Sequence, residues 1–148
     1  MLLKLRQRMS RDESGFTLVE LLVVMLILGL LIAVAIPTFF NQKQKANDAD
    51  SKALAHTTQT AMETYATDHQ GSYATATLPL LNNIEGTVPN DPTQIAISGL
   101  SAANYTITVT NPDTSHTFTI QRTGGTFAFT CTPATGGGGC PDGGNWGG

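Results

Sequence analysis

Glu20 is the residue whose setting most demands an explanation. From Phe16 to Ile36 the chain runs for 21 residues with Glu20 as its one charged side chain. A helix of that length is about 31 Å long, one bilayer core. A carboxylate one turn into such a span is costly. A central Asp costs about 2.5–3.5 kcal/mol on insertion scales, and an end position less. The charge calls for a positive partner, and no Lys or Arg lies between residues 12 and 42. Hydrolysis of the Gly15–Phe16 peptide bond would create one. The new α-amino group of Phe16 is positive near neutral pH. It would sit four residues before Glu20, within one helical turn, and could meet Glu20 of its own chain or of a neighbour.

The other residue types capable of chemistry do not converge. His56, His69 and His116 are scattered, and none stands at metal-ligand spacing from another His or a Cys. They read as surface or cap residues. Ser51 and Ser98 lack the context of a nucleophile elbow. The Gly136–Gly139 run is followed by neither a Lys nor a helix, so it is not a phosphate loop. Asn104-Tyr105-Thr106 is a formal N-glycosylation triplet of a kind that recurs by chance. Cys131 and Cys140 are the two cysteines, and an even count outside the cytoplasm suggests a disulfide. The alternative is a pair of free or metal-binding thiols. No enzyme, cofactor or metal is expected from this inventory.

Charge locates these residues. The chain has 148 residues, eight basic and eleven acidic side chains, and a charged fraction of 13 %, about half the usual share. Four of the basic residues, Lys4, Arg6, Arg8 and Arg11, precede the apolar run. That asymmetry predicts the N-terminus inside and the remainder exported. Residues 1–15 read as a leader rather than as fold. Beyond Lys52 the only basic residue is Arg122. A nucleic-acid surface needs clustered Lys and Arg, so direct DNA binding is not expected.

The positioning elements follow in order. Residues 16–37 read as a membrane helix, weakened at Gly29 and Pro37. Residues 38–70 read as its amphipathic continuation. Leu54, Thr58, Ala61, Met62 and Tyr65 share one face of it, while Lys43, Lys45, Asp48, Asp50 and Lys52 lie on an exposed part as solvated charges or ion pairs. Gly71 is a candidate left-handed cap. Residues 71–104, punctuated by Pro79, Gly86, Pro89, Pro92 and Gly99, read as an irregular connector. Residues 105–131 hold three alternating runs, Tyr105–Thr110, His116–Gln121 and Thr126–Cys131, the last two joined by Gly124-Gly125. They predict an antiparallel meander whose apolar face is covered by the helix. Residues 132–148 contain eight glycines and two prolines and read as a loose tail, with Trp146 either an exposed contact or disordered. The fold class is α+β: a long N-terminal helix on a small antiparallel sheet of three to four strands.

Gly15-Phe16-Thr17-Leu18-Val19-Glu20 and the apolar run after it resemble the class III signal of type IV prepilins and pseudopilins. The likeness covers residues 4 to about 45. It implies cleavage after Gly15 by a membrane prepilin peptidase, which also methylates Phe16. It implies that Glu20 docks incoming subunits into a helical homopolymer, served by an assembly platform and its ATPases. The precursor is then a single-pass inner-membrane protein and the product an extracellular pilus. In that family a Gly and a Pro at the places of Gly29 and Pro37 let the stretch between them extend or melt on leaving the bilayer. The connector corresponds to the αβ-loop. Cys131–Cys140 would bound a short D-region, with residues 141–148 outside it. Some major pseudopilins ligate calcium near the C-terminus, but Asp113 and Asp142 have no third acid in register to complete such a site. The outer threonines are candidate sugar carriers.

Three functions fit: a pilin for adhesion, twitching or DNA uptake; a type II secretion pseudopilin or minor pilin; and a secreted domain with a conventional signal peptide. The last is raised by Ala33-Val34-Ala35, which has the form of an A-x-A cleavage site. N-terminal sequencing separates it, since a pilin begins at Phe16 and the conventional product at Ile36.

Overall fold

Thr17 starts the long helix. Its carbonyl accepts from Leu21 N–H at 3.2 Å, and helix α1 then runs Leu18–Asp68. The computed structural model describes residues 15–147. Apart from Gly15, the expected leader lies outside them. The chain divides into two units, Met1–Thr38 and Phe39–Gly148.

In the described part of the first unit, α1 is apolar around its whole circumference. Its large apolar side chains from Leu18 to Ile36 are 49–73 % exposed, and it is long and apolar enough to cross a membrane. The helix passes through Gly29 and Pro37 without interruption, so the break expected there is not seen in this state. Pro37 removes one amide donor from the ladder. The Thr38 hydroxyl donates to the Ala35 carbonyl one turn back, at 2.9 Å.

In the second unit, the rest of α1 supplies one face of a core. Ala55, Thr58, Ala61, Met62, Tyr65 and Ala66 are buried. Their spacing keeps them on one stripe of a 3.6-residue helix. The helix ends on two left-handed residues, Gln70 (φ 57°) and Gly71 (φ 82°). Gly71 N–H closes onto the Ala66 carbonyl at 2.8 Å, a Schellman-type stop.

The other face is a four-stranded antiparallel sheet in the order β1-β2-β3-β4, formed by Ile95–Ser98, Tyr105–Thr110, Thr117–Thr123 and Thr126–Thr132. Register places apolar residues opposite one another: Ile97 faces Ile107, Val109 faces Phe118, Ile107 faces Ile120 and Phe118 faces Cys131. Tyr105, Ile107, Val109, Phe118 and Ile120 are buried, and threonines alternate with them on the opposite face. Gly124 (φ 56°) and Gly125 (φ 88°) form the β3–β4 turn, both in the conformation that a type I′ hairpin requires.

Three sequence expectations need correction. The connector is not wholly irregular: it contains helix α2, Leu78–Ile84, and β1, which pairs with β2 over four residues. The tail is not loose. Gly144 accepts from Cys131 N–H at 2.7 Å, Trp146 N–H reaches the Phe129 carbonyl, and the Trp146 indole donates to the Thr130 carbonyl at 2.8 Å. Trp146 also packs edge-on against Phe118, Phe129 and His56. Finally, Asp48 is not on the exposed part of the helix. It is fully buried, and His116 is buried beside it.

Candidate functional site

Two acidic centres stand out, one in each unit. At the start of α1, Glu20 Oε2 accepts from the Thr17 amide at 2.9 Å and from the Thr17 hydroxyl at 2.8 Å. In return Thr17 Oγ1 accepts from the Glu20 amide at 3.2 Å. This is a reciprocal capping box, Thr17-x-x-Glu20. It satisfies amide donors that a helix start otherwise leaves open, and it sets a negative charge at the positive end of the helix dipole. Among the described residues no cation pairs with Glu20, but Thr17 is a polar partner, and the T-x-x-E spacing is its signal in the sequence. Among the described residues Oε1 takes no hydrogen bond, so the carboxylate keeps one oxygen for a second donor.

Just before the box, Gly15 and Phe16 lie outside the helix, with Phe16 83 % exposed. A peptide bond is cut in extended form, and a Gly there imposes no side-chain obstacle. The expected cleavage bond is therefore beside the helix start rather than inside it.

The second centre is Asp48. Its carboxylate accepts four hydrogen bonds: from Asn111 Nδ2 at 3.0 Å and Thr114 Oγ1 at 2.7 Å on Oδ1, and from His116 Nδ1 and the Gly139 amide, each at 2.7 Å, on Oδ2. Burial works against the charge. The Gly139 amide, the Thr114 hydroxyl and the His116 imidazole outweigh it and hold the carboxyl below its ordinary value. Against a carboxylate, His116 Nδ1 must carry the proton. Asn111 steadies the β2–β3 turn by accepting from the Asp113 and Thr114 amides. Gly138 and Gly139 complete the mould: a Cβ on Gly138 would meet Asp48 Oδ2 and the His116 ring, and one on Gly139 would meet Asp48 Cβ. No motif in the sequence marks this group, since Asp48 and His116 are 68 residues apart.

Cys131 and Cys140 are joined in a disulfide, Cα to Cα 5.7 Å. Among the described residues no group of three His, Cys, Asp or Glu is placed to hold a metal ion. His56 lies against Phe129 and Trp146, and His69 stacks on Tyr65 with ring centroids 3.8 Å apart. The three histidines do not converge.

Residues 10–36 match a family model described as the prokaryotic N-terminal methylation motif. The chain is 30 % identical to the type IV wide pilus major component PilA4 of Thermus thermophilus over 127 residues, which cover 85 % of this chain and 86 % of that one. It is 30 % identical to the type IV narrow pilus major component PilA5 of the same organism over 119 residues, 80 % of this chain and 96 % of that one. Similarity to the ComG operon protein 3 homolog of Bacillus licheniformis, 35 % over 60 residues, covers 40 % of this chain and 62 % of that protein. No solved structure gives a significant match. With the methylation motif at its start and pilus major components matching it through most of its length, the chain belongs to the type IV pilin superfamily.

Proposed function

We propose that the chain is the structural subunit of a type IV pilus, made as an inner-membrane precursor, cut after Gly15, N-methylated at Phe16 and polymerised through the apolar half of α1. The observation that carries this reading is the stem itself. Its apolar side chains are exposed all round, with a single carboxylate at one end. Such a surface needs lipid first and other stems afterwards. Glu20 is the docking acid, receiving the Phe16 amine of a neighbour on its open oxygen. The prepilin peptidase, assembly platform and ATPases are the partners this route requires. The finished pilus is extracellular.

A type II secretion pseudopilin or a minor pilin would share the same stem. The matches to PilA4 and PilA5 extend through most of this chain, which favours a pilus subunit. The test is the mature N-terminus. Material sheared from cells, read by N-terminal sequencing and intact mass, should begin at Phe16 and carry one added methyl. A chain beginning at Ile36, or one retaining Met1, would overturn the reading.

A further inference from the structure

The loop between Cys131 and Cys140 is fastened to the rest of the fold in very few places. Among the described residues, one hydrogen bond ties residues 133–140 to another element: Gly139 N–H to Asp48 Oδ2. The Cys140 amide bonds within the loop, to Gly137. The other fastening is covalent, the disulfide to β4. After the loop the chain is anchored independently by Gly144 and Trp146 on β4.

We propose that Asp48 is an acid-released latch on this loop. With the carboxylate ionised, Gly138 and Gly139 are drawn down over the Asp48–His116 pair. With it protonated, the charge-assisted bond to Gly139 is lost and the loop swings away, tethered by Cys131–Cys140. This goes beyond the proposed pilus role and does not depend on it.

The geometry limits the opening to the loop. The β2–β3 turn holds itself through the Asn111 side chain and the bond from Asn111 N–H to the His116 carbonyl. Trp146 is held by β4 rather than by Asp48. The titratable group that faces Asp48 is His116, from the β2–β3 turn. Asp113 of that turn instead accepts from Asn47 at 2.8 Å, and Asp142 of the C-terminal segment lies against Gly136. The positive form of His116 favours the Asp48 carboxylate, so release comes only in acid, below the usual carboxylate range.

The test uses the full chain in detergent micelles with its disulfide intact. Amide exchange at Gly139 is followed by NMR at neutral pH and in acid, corrected for the pH dependence of intrinsic exchange, with Ile107 as a core reference. Gly139 protection should fall in acid at least tenfold further than Ile107 protection does, while Trp146 emission holds. Asp48→Asn should show the low Gly139 protection already at neutral pH, with no further acid step. A wild-type Gly139 loss in acid no larger than that of Ile107 overturns the latch, as does wild-type protection in Asp48→Asn. Should Asp48→Asn lose its Ile107 protection and so prove unfolded, the wild-type comparison decides alone.

Discussion

Asp48 shows how much one buried carboxylate can settle. A charge taken out of water costs several kcal/mol unless donors replace the water, and here four do. Removing it leaves His116, Asn111, Thr114 and the Gly139 amide without their acceptor. Asp48→Ala is therefore expected to cost about 3–5 kcal/mol, read as a fall in melting temperature. Asp113→Ala, at an exposed carboxylate, should stay within about 0.5 kcal/mol. The pH sense follows from the lowered Asp48 value. Its contribution is present above the ordinary carboxylate range and is lost as pH falls through the folded value, so wild type loses stability in acid that Asp48→Asn never had. Gly138 adds a second residue-scale expectation. Its φ of +61° is one that L side chains rarely adopt, and a Cβ there meets Asp48 and His116. Gly138→Ala should cost about 1 kcal/mol or more, measured by denaturant titration. The sequence carries no sign of this site: Asp48 stands in a run of charges that reads as solvated, and its burial is decided by a turn and a loop far along the chain. The Thr17–Glu20 box has a local T-x-x-E spacing, yet a reading of the sequence that seeks only a cation for Glu20 passes over Thr17.

At the scale of elements, Glu63 of α1 binds the fold across its connections. It accepts from the Tyr73 hydroxyl, in the connector, and from the Tyr105 hydroxyl, on β2, each at 2.7 Å. Arg122 of β3 lies 3.5 Å away and over the Tyr73 ring. Burial first, then the hydrogen bond and charge of Glu63, pushes Tyr73 up to about 12 and Tyr105 higher still. A tyrosine raised in the folded state contributes stability that is whole below its ordinary value and is lost as pH rises through the folded value. Glu63→Gln should let both tyrosines ionise at lower pH, seen as earlier tyrosinate absorbance, and should move alkaline unfolding downward. If the two titration curves superimpose, the Glu63 link is not what holds these tyrosines neutral. The strands that Tyr105 and Arg122 occupy are readable because alternation persists over six or seven residues. β1 is not, since Ile95-Ala96-Ile97-Ser98 between Pro92 and Gly99 offers only two large apolar positions. Its strand character comes from pairing with Val109 and Ile107, a tertiary cause that overrides local pattern. The tail misleads for a similar reason, as glycines that suggest looseness are here the residues able to lie against Asp48 and Phe129.

At the scale of the whole molecule, the apolar stem decides what the chain can become. Burying about 1,500 Å² of it among neighbours is worth tens of kcal/mol relative to water at about 25 cal/mol/Å². In the proposed route its starting point is lipid, however, which is as apolar as another stem, so the net drive is much smaller. A modest drive suits a polymer that grows and shrinks, and it leaves register to be set by polar contacts. In the proposed pilus Glu20 is the polar group that would set it, held by Thr17 with one oxygen open among the described residues. Glu20→Ala should insert and be cut after Gly15 as wild type is, since the bond and the apolar run are untouched, yet give no filaments. The measurement pairs N-terminal sequencing of the membrane fraction with the amount of subunit sheared from cells. Glu20→Gln keeps the capping bonds to Thr17 but not the charge, so it separates helix capping from docking: folded, processed and unassembled is the expected outcome. Abundant filaments from Glu20→Gln would show that the carboxylate's charge does not choose the register, and that stem packing alone suffices.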